Sequence, residues 1–130
     1  TLREGSNVTL AACGIMVDLA LQAADMLAQE GIYARVLNVS TIKPLDKETI
    51  LEAAHQTGAI VTCEEHSVLG GLGGAVAETV AESWPVPVLK LGIEDQFGQS
   101  GKPDELLELY GLTAHHIAEK AIKAISLKRD

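Results

Sequence analysis

This sequence predicts a three-layer α/β/α sandwich built around a mainly parallel sheet. Short apolar runs rich in β-branched residues alternate with stretches of helical period, the order that lays crossover helices on a parallel sheet. The runs are apolar at nearly every position, as strands covered on both faces must be. The third sign is the stretch AIVTCEEHSVLGGLGGAVAE, residues 59–78. It reads as a strand over 59–63, a polar strand end (Glu64, Glu65, His66), a glycine turn over 70–74 and a helix over 75–82. In open α/β sheets the carboxy ends of strands are where sites are built.

Taken in order, residues 1–4 resemble the tail of an edge strand closed by the turn Gly5-Ser6-Asn7. Residues 8–12 form the first clear strand. A helix over 15–30 follows, with Leu19, Ala23, Met26 and Leu27 recurring at three and four residues and Asp18, Gln22, Asp25 and Gln29 opposite. Gly31 suits its C-terminal cap. Residues 34–39 are the next strand. Pro44 delays helix until Asp46, an N-cap for a helix over 47–56 that Gly58 closes. After the central stretch, Pro85 and Pro87 bracket the approach to a short strand over 88–91. A polar loop over 92–102 leads to a helix over 103–110 with Pro103 in its first turn. Gly111 is expected to break that helix. Thr113 then caps a last one, running to about 127, with Ile117, Ala121, Ile122 and Ile125 as its buried stripe.

The chain of 130 residues suits one domain, and its 47% hydrophobic content can fill a core. A formal charge of −8 and 3% aromatic residues argue against nucleic acid, which asks for a basic face and stacking platforms. No apolar run approaches the roughly 20 residues of a membrane helix, so no membrane contact is expected. The first residues, Thr-Leu-Arg-Glu-Gly, suggest a piece of a longer protein. Cys13 and Cys63 have no metal-ligand spacing and read as reduced thiols of a cytoplasmic protein.

Each constellation carries a functional and a structural reading. Glu64, Glu65 and His66 could serve acid/base chemistry, but neighbours on a strand point to opposite faces; a cap, a salt bridge or an interface contact is the favoured use. Gly70, Gly71, Gly73 and Gly74 could cradle a phosphate at a helix N-terminus. Their spacing fits neither the dinucleotide fingerprint nor the P-loop, so close packing on the sheet or against another domain is favoured. Phe97, the single phenylalanine, sits in the 92–101 loop and suits docking onto a neighbour. His55, His115 and His116 read as surface or capping residues. If the strands at 8–12 and 59–63 are adjacent, a topological switch point opens between them. Cys13, Gly14 and His66 are then the candidates to meet a ligand.

The ordered set Ser40-Thr41-Ile42-Lys43-Pro44-Leu45-Asp46, Glu64-Glu65-His66, Gly70-Gly71-Leu72-Gly73 with Ala75-Val76-Ala77-Glu78, Gly92-Ile93, Asp95, Phe97-Gly98, Ser100-Gly101 and Tyr110-Gly111-Leu112-Thr113 resembles the C-terminal domain of the transketolase family. The resemblance covers essentially the whole chain. It implies a five-stranded sheet with one antiparallel edge strand, in a parent enzyme that moves two-carbon ketol units between sugar phosphates of the pentose phosphate pathway. Thiamine diphosphate and magnesium would be bound by other domains, whose Gly-Asp-Gly motif does not occur here. This chain would then hold no catalytic residue, cofactor or metal and be inactive alone. Its partners would be the other transketolase domains or an N-terminal subunit, in a homodimeric parent. Glu64, Glu65, His66, Gly70, Gly71, Gly73, Gly74 and Phe97 would face those partners. Deoxyxylulose-phosphate synthase and the β subunit of 2-oxo acid dehydrogenase E1 carry the same domain. A stand-alone phosphate- or nucleotide-binding regulatory module is the alternative of another class.

Overall fold

The computed structural model describes residues 1–14, 16–39, 46–65, 71–93 and 103–128. The order of elements is β1 (Val8–Ala12), α1 (Met16–Ala28), β2 (Ala34–Asn38), α2 (Lys47–Thr57), β3 (Ile60–Glu65), α3 (Gly71–Ser83), β4 (Val88–Ile93) and α4 (Pro103–Ser126). All four strands pair in parallel, in the order β2-β1-β3-β4. In register, Leu10 lies between Val36 and Val61.

Alternation along the strands divides the interior into two layers. Val8, Leu10 and Ala12 of β1 and Val61 and Cys63 of β3 face α1 and α4. Ala11 and Ile60 face α2 and α3, where Ile50, Leu72 and Val76 complete a second cluster. Helices therefore cover both sides of the sheet, the predicted sandwich. The helix after β1 and the helix after β3 leave to opposite faces, so the strand ends diverge at the expected switch point.

Several boundaries follow local chemistry. Asp46 accepts from the Thr49 N–H at 3.2 Å and from its hydroxyl at 2.7 Å, capping α2. Gly58 closes α2 at φ 74°, donating its N–H to Ala54 O.

Four expectations change. The sheet has four strands among the described residues; the segment expected as an antiparallel edge strand makes one antiparallel bridge, Arg3 to Val36. Residues 71–74, read as a turn, are the first turn of α3. Gly111 does not interrupt α4, which runs unbroken for 24 residues. A mid-helix glycine costs only about 1 kcal/mol relative to alanine, and burial of Ala114, Ile117, Ala118, Ala121 and Ala124 outweighs it. Finally, Ile122 is 44% exposed, and Ala124 takes its place in the buried stripe.

Candidate functional site

The carboxy ends of β1 and β3 form the candidate site. Glu64 is the penultimate residue of β3, and only 7% exposed. Its two carboxylate oxygens accept hydrogen bonds from the backbone N–H groups of Leu72 (3.0 Å) and Gly73 (3.3 Å). These are orphan donors of the first turn of α3, where the helix dipole favours negative charge. A helix N-terminus is a ready anion site, and here a side chain of the same chain fills it. Glu64 thus acts as a cap, one of the uses weighed for it.

The glycines separate into two kinds. Gly73 is buried, and a Cβ there would lie 2.9 Å from the Lys90 side chain and 3.1 Å from Thr62 Oγ1. Its bareness seats α3 on β3 and β4. Gly74 is exposed, with nothing within 4 Å of a Cβ, and Gly71 is half-buried. Thr62 Oγ1 is buried beneath this turn without a hydrogen-bond partner among the described residues.

At the switch point, Gly14 turns the chain out of β1 at φ 62°. Cys13 is half-buried against the α2–α3 cluster, whereas Cys63 is fully buried in the α1–α4 cluster. The two thiols thus belong to opposite faces of the sheet. Burial pushes the Cys63 thiol up to about 12, aided by Cys13 and Glu64. A thiol so held is a poor nucleophile. The side chain of Glu65, and His66, Gly70 and Phe97 altogether, lie outside the described residues.

Thiamine diphosphate does not fit these residues. Its diphosphate would meet the Glu64 carboxylate where it would need free N–H donors, and no cluster of three His, Cys, Asp or Glu suited to a metal occurs among the described residues. No helix among them is long and apolar enough to cross a membrane.

Two features escape sequence reasoning. At the amino ends of β3 and β4, a groove of about 700 Å³ is lined by His55, Trp84, Pro85, Pro87 and Leu127, with the His55 and Trp84 rings stacked 3.9 Å apart. The reading of His55 as a surface residue holds but misses its aromatic partner. His115 and His116 are exposed as expected, yet sit inside α4 and not in its first turn; His115 pairs with Glu119 at 2.9 Å. The second feature is Arg35 in β2, 4% exposed and bonded to Glu4, Glu52, Gln56 and Thr1. A charged residue inside an otherwise apolar run was the one signal for it.

Known proteins agree with this architecture. The family model for the transketolase C-terminal domain matches residues 1–117. A subunit of the 6-deoxy-6-sulfo-D-fructose transketolase of Clostridium sp. is 53% identical over 120 residues, covering 92% of this chain and 37% of that protein. The 1-deoxy-D-xylulose-5-phosphate synthase of Heliobacterium modesticaldum is 48% identical over 121 residues, covering 92% of this chain and 19% of that protein. Among solved structures, a split-gene transketolase described as an inactive beta4 tetramer superposes with a TM-score of 0.83 at 52% identity, covering 98% of this chain and 41% of that one. The chain thus spans well under half the length of these relatives.

Proposed function

This chain belongs to the transketolase C-terminal domain family, and we propose that it is the one domain of that kind in a longer, cytoplasmic, thiamine-diphosphate-dependent transferase. In this reading it supports assembly and leaves cofactor and magnesium to other domains or to an N-terminal subunit. The parent, a homodimer, transfers two-carbon ketol units between sugar phosphates in the pentose phosphate pathway. One observation carries the supporting role: the Glu64 carboxylate occupies the N-terminus of α3, the position a phosphate would need. That same contact weighs against a stand-alone phosphate- or nucleotide-binding module. Glu65, His66, Gly70, Gly71, Gly74 and Phe97 remain candidates for the partner-facing surface. Gly73, spent on the domain's own packing, contributes by holding α3 in place.

A second reading, deoxyxylulose-phosphate synthase, draws on the 48% identity to the Heliobacterium enzyme. The two are separated by assaying the complete protein, with any partner subunit, in thiamine diphosphate and magnesium. Turnover of xylulose 5-phosphate with ribose 5-phosphate supports transketolase. Turnover only of pyruvate with glyceraldehyde 3-phosphate supports the synthase. Silence with both pairs overturns both readings and favours the E1 relatives.

A further inference from the structure

We propose that residues 1–5 form a releasable strap over the free edge of β2, and that lifting it lets this edge pair with β2 of a second copy. β2 is the last strand on its side of the sheet. Its Val36 turns both backbone groups outward to the strap: Leu2 donates its N–H to Val36 O at 2.8 Å, and Val36 donates to Arg3 O at 2.9 Å. Gly5 lies flat on the same strand. A Cβ there would stand 2.4 Å from the Ala34 carbonyl carbon and 2.6 Å from its oxygen, rigid backbone that cannot move aside.

What holds the strap is polar. Arg35 reaches Glu4 at 3.1 Å and Thr1 at 3.4 Å, and Arg3 pairs with Asp25 of α1. Leu2 is 51% exposed, so its side chain adds little apolar burial. The Arg3–Asp25 pair is open to solvent and therefore weak, the Glu4 carboxylate is itself exposed, and segments with little buried apolar surface open first. Glu52 and Gln56 of α2 continue to hold the Arg35 guanidinium when Glu4 and Thr1 leave it.

The edge so uncovered is a hazard. Ile32-Tyr33-Ala34-Arg35-Val36-Leu37-Asn38-Val39 is β-prone, carries one charge and has no proline, the composition that adds strands edge to edge unless guarded. An identical edge on a second copy is its natural complement.

Gly5→Val in the full-length protein tests this. Hydrogen exchange at Val36 should accelerate about tenfold or more. Sedimentation from micromolar to about 100 µM should show association beyond the parent's own oligomer, with exchange over residues 34–38 slowing again as concentration rises. Unchanged exchange at Val36 overturns the strap; faster exchange without association overturns the second-copy pairing. Should far-UV circular dichroism show Gly5→Val unfolded, the double variant Arg3→Gln/Glu4→Gln, which leaves the core intact, decides by the same readings.

Discussion

Glu64 and Leu72 are eight residues apart in sequence, and the carboxylate of the first accepts the N–H of the second, in the first turn of α3, at 3.0 Å. The contact ties the end of β3 to the start of α3 and puts a negative charge where this fold class commonly receives an anion.

Replacing Glu64 with alanine should therefore cost about 1–2 kcal/mol, the range for a lost N-cap acceptor. Glu64→Gln, which keeps an accepting oxygen, should lose less. Urea unfolding of the two variants beside the parent measures this.

The two glycines of the same turn should respond with opposite sign. Gly74→Ala meets open space inside a helix and should stabilise by about 0.5–1 kcal/mol through helix propensity. Gly73→Val drives its side chain against Thr62 and Lys90 and should destabilise by about 1–3 kcal/mol. If Gly74 also faces a partner, the variant that raises thermal stability will weaken subunit association, seen in sedimentation of the assembled parent.

Alkaline pH should act through Cys63. The folded thiol sits at about 12 against an ordinary 9.0, a raised value. Its contribution is whole below the ordinary thiol pKa and fades as pH climbs from there toward 12. With a slope of at most about 1.36 kcal/mol per pH unit, the parent should lose about 2 kcal/mol between pH 8 and pH 10.5 that Cys63→Ala retains. Urea midpoints at both pH values provide the comparison.

Acid should act through Asp46. The Thr49 hydroxyl, then the Thr49 N–H, hold its carboxyl below the usual carboxylate value. This contribution is present above the ordinary pKa and lost as pH falls through the depressed one. The Thr49 amide resonance should titrate below the ordinary carboxylate range in the parent and not at all in Asp46→Ala.

Elements determined by neighbouring residues were legible in the sequence. β1 begins and ends where its apolar run does, and Asp46 and Gly58 bound α2 as their chemistry requires. Glycine misled where distant contacts decide. Residues 71–74 look like a turn, yet Glu64 reaches across to cap them into helix. Gly111 looks like a break, yet packing of the turns after it against α1 and the sheet carries α4 through. At the site, Glu64 as a cap and glycine packed closely on the sheet were among the readings weighed, but which glycine faces inward, and the Arg35 contacts to α2 and the first residues, depend on tertiary packing that spacing alone does not disclose.

The packing of α4 on α1 has a consequence for biosynthesis. Ile117 and Ala121 close the layer that Leu19, Val61 and Cys63 begin, and roughly 100 residues separate Leu19 from Ile117. A ribosome adding about 5–20 residues per second needs roughly 5–20 s to supply that lid. Until then the growing sheet has only α1 on this face, and the places of Ile117, Ala121 and Ala124 stand open. Translation that stops ahead of Ala114 would leave that face permanently half-covered, a substrate for chaperones and proteases and not a smaller version of the domain.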